Sequence, residues 1–174
     1  MRGFMYEAYA LLDEHIKNNI FWYASSVKFE GNPKPTPEGI HISQDRAGAR
    51  SVATTRHSKK DSFLYLIKLN TQLNPYECDK DLVRWDAKNL AIFLLNNDFS
   101  LLEEEIEILE KFSNLRNGES SFEDLQKIKT IFNRLGYDSI TYMNDYEDSL
   151  KPSVMLFDDS VIESCKFKGN QNYE

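Results

Sequence analysis

The eight residues Ser62–Leu69 place the tightest constraint on how this chain can fold. Phe63, Leu64, Tyr65, Leu66 and Ile67 follow one another without a polar interruption. A strand with one wet face alternates apolar and polar side chains, whereas a strand covered on both faces does not. The run therefore predicts a central, buried strand, and other elements must cover both of its faces. The chain has the material: 174 residues, 41% hydrophobic and 13% aromatic. That length suits one domain over 1–174 with room for an insertion. Seven glycines and five prolines are too few for a collagen-like or low-complexity chain.

The neighbours of this strand read as a mixture of strands and helices. Tyr9, Leu12, Ile16 and Ile20 form one apolar stripe, predicting a helix over 6–18. An aromatic-rich strand follows over 20–24, and three prolines between Gly31 and Gly39 mark a loop. A short strand over 39–43 leads to Asp45, a fitting N-cap for a helix over 46–55. Leu82, Trp85, Leu90, Phe93 and Leu94 predict a helix over 82–97. A second helix over 101–112 carries Glu103, Glu104, Glu105, Glu107 and Glu110, expected as a solvated acidic face. Asn117 and Gly118 form a turn, Ser121 with Asp124 opens a third helix like a capping box, and Gly136 stops it after Leu135. Strands are expected over 139–143, 152–157 and 161–167, with a polar loop over 144–151, a turn at Asp158-Asp159-Ser160 and a frayed tail from Gly169.

Composition narrows the function classes. The net charge of −7 argues against broad coating of nucleic acid or an anionic membrane. One stretch runs the other way: Arg46, Arg50, Arg56, Lys59 and Lys60 face only Asp45 between 45 and 60. The longest clean apolar run, 90–95, is far short of a membrane span, and the acidic Glu7 in a start without a cleavage pattern speaks against a signal peptide. A cytosolic location is expected, with Cys78 and Cys165 as reduced thiols. His15, His41 and His57 are scattered, so no metal site is expected; Asp158 and Asp159 read as a turn rather than as metal ligands. Glycine is too scarce for a nucleophile elbow or a glycine-rich phosphate loop.

The last third of the chain is the most distinctive. It runs Leu135-Gly-Tyr-Asp-Ser-Ile-Thr-Tyr-Met-Asn-Asp-Tyr-Glu-Asp and, after a polar loop, Pro152-Ser-Val-Met-Leu-Phe-Asp-Asp-Ser-Val-Ile. This block is similar to the end of ADP-ribosyltransferase domains of phage and bacterial toxin type. Three earlier segments resemble the same family in the same order. They are Phe21-Trp-Tyr-Ala-Ser-Ser with Phe29, then Pro37-Glu-Gly-Ile-His-Ile-Ser-Gln-Asp-Arg-Ala-Gly-Ala-Arg, then Phe63 to Asn70 with Asn74-Pro75. The likeness runs from Ile20 to Ser164, with a helical insertion over about 80–120 that has no counterpart in the pattern.

The resemblance implies an α+β fold, a split β-sandwich of about six or seven strands with peripheral helices. NAD+ would lie between the two halves, closed by the loops 30–38 and 144–151. It implies an NAD+-dependent mono-ADP-ribosyltransferase that releases nicotinamide and passes ADP-ribose to a host macromolecule. Protein is slightly favoured over nucleic acid as acceptor, the setting being a phage effector or a toxin held by an antitoxin or chaperone. Glu147 matches the family's glutamate, which stabilises positive charge developing on the ribose; Asp145, two residues earlier, would orient the acceptor. Nicotinamide in NAD+ is a flat cation and suits aromatic walls, for which Tyr23, His41 and Tyr142 are candidates, with Phe29 nearby. The helix start after Asp45, with Arg46 and Arg50, suits the pyrophosphate. Ser43 would bond the dinucleotide or cap that helix, and Asn144 belongs to the glutamate motif.

One position departs from the family. A His or Arg followed by Gly normally succeeds the first-strand aromatic, and here Ala24 and Ser25 stand there. Ser25 or Ser26 substitutes, the register shifts by one, or NAD+ binding is weakened or lost. Two alternatives to the transferase follow: a non-catalytic binding module on the same fold, in which the acidic helix is a partner surface, and an NAD+ glycohydrolase with water as acceptor.

Overall fold

A computed structural model of the chain describes residues 19–57, 62–79, 82, 84–144 and 152–171. The described residues hold seven strands and four helices: β1 (Ile20–Ser25), β2 (Ile40–Ile42), α1 (Arg46–His57), β3 (Ser62–Leu69), β4 (Pro75–Cys78), α2 (Ala87–Leu95), α3 (Glu103–Ser113), α4 (Phe122–Arg134), β5 (Ser139–Tyr142), β6 (Ser153–Leu156) and β7 (Ile162–Gln171). The strands form two sheets, ordered β1-β3-β7 and β2-β6-β5-β4. Every pair is antiparallel except β4 with β5. The fold is mixed α+β, compatible with a split β-sandwich. The helix expected over 6–18 lies outside the described residues.

Strand β3 takes the central place that its apolar run requires, with β1 on one edge and β7 on the other. Its Ile67 and Leu69 meet Phe21, Ile40, Ile42, Val154, Leu156 and Ile162, which fill the space between the sheets. The short strands β2 and β6 alternate strictly. Ile40, Ile42, Val154 and Leu156 face the other sheet, while His41 and Met155, paired across the ladder, face outward. That outer face is covered by α2, α3 and α4, whose Leu90, Leu94, Leu109, Leu125 and Phe132 join Trp85, Ile140, Tyr142 and Met155 in a second, more aromatic core. Helix α1 instead packs against β1 and β3. Among the described residues the two sheets are stitched where Trp22 and Ser43 exchange backbone hydrogen bonds of 2.8 Å in both directions.

Gly39 fixes the entry to β2. Its φ of 78° lies in the left-handed region, and a Cβ built on it would stand 2.5 Å from the Leu156 carbonyl oxygen. Only glycine lets the turn Thr36-Pro37-Glu38-Gly39 press so closely on β6.

Several sequence expectations are corrected. Helix α2 begins at Ala87 rather than at Leu82, because Asp86 takes the N-cap and its carboxylate accepts from the Asn89 backbone N–H. The polar tail is paired rather than frayed as far as Gln171, with Gly169 opposite Leu64. Strand β4 was not expected; it is held parallel beside β5. Glu105 leaves the expected solvated face. It is 7% exposed and takes a bidentate clasp from Arg134 of α4, which also donates to the Ser100 carbonyl. That clasp, followed by burial and the Leu102 backbone bond, leaves the Glu105 carboxyl below its ordinary range, the first and last lowering it against burial. Ser121 and Asp124 do form the reciprocal capping box. No helix among the described residues is long and apolar enough to cross a membrane.

Candidate functional site

The outward position of His41 on β2 decides its chemistry. Its Nε2 stands 2.9 Å from the Glu38 carbonyl oxygen and its Nδ1 2.5 Å from the Tyr142 hydroxyl. A carbonyl can only accept, so Nε2 carries a proton; in the neutral ring Nδ1 then accepts from Tyr142. The imidazole is half-buried, edge-on to Tyr142 at 5.6 Å and to Trp85 at 6.4 Å. Tyr142 is buried, its ring 4.3 Å from that of Trp85, so it meets the interior with its face and His41 with its hydroxyl. Two segments 101 residues apart are thereby joined at one point.

The next residues along the chain lead to a second junction. Ser43 is buried and bonded through its backbone to Trp22. Gln44, 2% exposed, donates from Nε2 to the Pro152 carbonyl oxygen at 2.8 Å. Asp45 then accepts from the Gly48 backbone N–H, the cap that the sequence predicts for α1. Arg46 is exposed and lies over the Trp22 ring at 5.8 Å, and Arg50 is half-buried one turn on.

Strands β5 and β6 pair Tyr142 with Ser153, and the flanking Asn144 and Pro152 are both buried. Asp145 and Glu147 lie on the connection between these two strands, outside the described residues. Its described flanks are therefore held by the Tyr142 bond to His41 on β2 and by the Pro152 bond to Gln44, two residues beyond the end of β2.

The structure does not bring all the sequence candidates together. Tyr23 packs at the edge of the core between the sheets, 6.0 Å from the Phe29 ring and 6.4 Å from the Tyr65 ring. Burial, then Cys165 and Tyr65, raises its hydroxyl above the ordinary tyrosine range. His41 faces the helical layer, so the four-stranded sheet separates Tyr23 from it. Ser25 accepts from the Val27 backbone N–H in a local turn. Ala24, in the departing position, is half-buried on β1.

A cleft of about 210 Å³ opens beside the His41 turn, lined by Thr36, Pro37 and Glu38 on one side and by Arg84, Asp86 and Ser120 of the inserted segment on the other. The expected closing loop thus faces the insertion, while the described space between the sheets is filled with apolar side chains. Two buried side-chain polar atoms of the described residues lack a hydrogen-bond partner: Gln44 Oε1 and Trp85 Nε1. Both belong to residues touching the junctions just described. Gln44 was not among the sequence candidates, and a polar residue between a strand and its helix cap gives no hint of burial. Among the described residues no group of histidines, cysteines and carboxylates could hold a metal ion. Comparison with protein-family models, with curated proteins and with solved structures gave no match.

Proposed function

We propose that the chain is an NAD+-dependent mono-ADP-ribosyltransferase whose reactive centre lies where β2 meets the β5–β6 connection. One observation carries the reading: the described residues flanking the segment that bears Asp145 and Glu147 are bonded to His41 of β2 and to Gln44 just after it, on either side of Ser43 and before the cationic start of α1. Carboxylates, a histidine and two arginines are the groups that NAD+ cleavage needs at one place.

In this reading the bond between the ribose anomeric carbon and the nicotinamide nitrogen breaks, and nicotinamide leaves neutral with the bonding pair. Glu147 supports the positive charge that develops on the ribose. Asp145 takes the proton of the acceptor nucleophile that forms the new bond. Arg46 and Arg50 meet the pyrophosphate at the helix start. His41 offers the half-open ring beside nicotinamide, held by Glu38 and Tyr142 so that it cannot swing away. Tyr142 thus acts through His41, and Asn144 anchors the glutamate segment. Tyr23 and Ser25 lie on β1, outside this centre.

The acceptor is a macromolecule, with protein ahead of nucleic acid on the chain's net charge of −7. A phage effector or antitoxin-controlled toxin is the setting that the family resemblance supports. The test is NAD+ turnover by purified protein with and without cell lysate, with Glu147→Gln as control. Label transfer that the variant abolishes supports the transferase, and protease or nuclease digestion of the product identifies the acceptor. Nicotinamide release without transfer identifies a glycohydrolase instead. Neither binding nor loss of NAD+ favours the non-catalytic module, for which Ala24 is the specific observation.

A further inference from the structure

The cleft between the turn 36–39 and the inserted segment holds charged groups that its own walls do not pair. Asp86 is 4% exposed and caps α2. It accepts from the Asn89 backbone N–H at 3.0 Å and from the Asn89 side-chain amide at 2.8 Å, both on Oδ1. The cap therefore accounts for one oxygen. Oδ2 has no donor among the described residues and is not sealed, for the fully enclosed unpartnered atoms are those of Gln44 and Trp85. The little surface that Asp86 keeps lies where it lines the cleft. Ser120, 7% exposed on the same wall, accepts from the Lys88 backbone N–H at 3.3 Å and gives its own proton to no described group. Arg84 is exposed beside them and forms no ion pair among the described residues, not even with Asp86 two positions on.

These groups define what fits. A buried carboxylate oxygen calls for a donor, and a cationic donor makes the strongest bond. A guanidinium calls for a carboxylate, which it can grip with two parallel N–H bonds. The cleft offers both within about 210 Å³. That is below the roughly 300–1,000 Å³ of pockets that take drug-sized ligands, so a dinucleotide is too large. The two charges of the ligand must then stand a few atoms apart. An amine alone leaves Arg84 unmatched, and an anion alone meets the like charge of Asp86, with Glu38 on the facing wall. We propose that the cleft binds a free α-amino acid, its ammonium donating to Asp86 Oδ2 and its carboxylate accepting from Arg84 and the Ser120 hydroxyl. The proposal is independent of the NAD+ reading. The occupant rests against the turn whose Glu38 carbonyl holds His41 Nε2 at 2.9 Å, so occupancy also registers at His41.

The experiment is an amide NMR titration of the ¹⁵N-labelled full chain with each standard amino acid in turn. The tightest binder is then compared with its N-acetyl form and its carboxamide form, each of which has lost one charge. At least one amino acid is expected to bind with a dissociation constant of about 1 mM or tighter. Its shifts are expected at Glu38, His41, Asp86, Gly118 and Ser120. Each blocked form is expected to bind on the order of 10- to 100-fold more weakly. Arg84→Gln, at an exposed position, is expected to weaken binding by a similar factor, and so is Asp86→Asn, since asparagine still caps a helix. Binding of no amino acid, or shifts that map away from the cleft, overturns the proposal. Blocked forms that bind as well as the free one also overturn it, since an ordered water then serves Oδ2. Affinity unchanged by Arg84→Gln does the same. Should Asp86→Asn fail to give a cooperative thermal melt, the N-acetyl comparison on the unaltered chain decides for the ammonium end. Failure of NAD+ to bind leaves the proposal standing, so the two readings fail separately.

Discussion

In the helical layer, polar ends meet partners. Asp86 caps α2, Ser121 and Asp124 cap α4 reciprocally, and Arg134 clasps Glu105 across two helices. Where β2 and β6 end, the pattern is different. Gln44 keeps a buried oxygen without a donor and His41 is half-open, edge-on to Trp85 of the inserted segment, whose own buried N–H lacks an acceptor. The first region is a closed packing solution around Leu90, Phe132 and their neighbours. The second leaves hydrogen-bonding capacity unspent. The contrast teaches that the insertion packs Trp85 against Tyr142 behind His41, while the residue after β2 keeps a buried polar atom that the described structure does not pair.

Substitutions separate the two regions. Phe132→Ala, in the closed core, is expected to cost about 3–5 kcal/mol in urea unfolding because a large cavity opens among well-packed rings. Gly39→Ala follows at about 2–3 kcal/mol, from a left-handed backbone plus a Cβ forced against β6. A cost below half a kilocalorie per mole, on the order of an ordinary surface change, would contradict the close approach of that turn.

Arg134→Met probes the clasp and has a pH signature. Glu105 is held below the ordinary carboxylate range when folded, chiefly by Arg134. Its contribution is therefore present above the unfolded value of about 4.3 and is lost as pH falls through the lower folded value. The variant is expected to lose about 1–3 kcal/mol at neutral pH and to show a shallower loss on acidification, read by denaturant midpoints across pH. Asp158 adds to the same limb: burial pushes its carboxyl up, but Lys129 and Ser160 outweigh this and leave it low.

On the open side, Tyr142→Phe removes only the hydroxyl that reaches His41 Nδ1. It is expected to cost about 0.5–1.5 kcal/mol, far less than the core substitution, while NAD+ turnover falls more than stability does. The smallest effect concerns Cys165, whose thiol burial pushes up to about 11. It stays protonated near neutrality, so native protein is expected to react with iodoacetamide at pH 8 much more slowly than unfolded protein.

What the sequence made legible were features decided within a few residues. The apolar run of β3, the Ser121–Asp124 box and the Asp45 cap all depend on near neighbours. Strand β4 escaped because the alternation of Tyr76, Glu77 and Cys78 is only three residues long, too short to mark a strand without its partner β5. Glu105 looked like its acidic neighbours, since its partner lies 29 residues on in another helix. The site divides in the same way. His41 stood out as a polar break in an apolar strand, whereas Gln44 is marked only by a contact 108 residues away. Tyr23 shares a motif with the candidate site, yet strand alternation sends it to the far side of the four-stranded sheet.

The most direct measurement is an amide NMR titration of ¹⁵N-labelled Glu147→Gln protein with NAD+. The account predicts shifts concentrated at His41, Ser43, Gln44, Arg46 and the Trp85 indole, with α3 and α4 unmoved. No shifts at saturating NAD+, or shifts confined to the helical layer, would contradict a dinucleotide site at the end of β2.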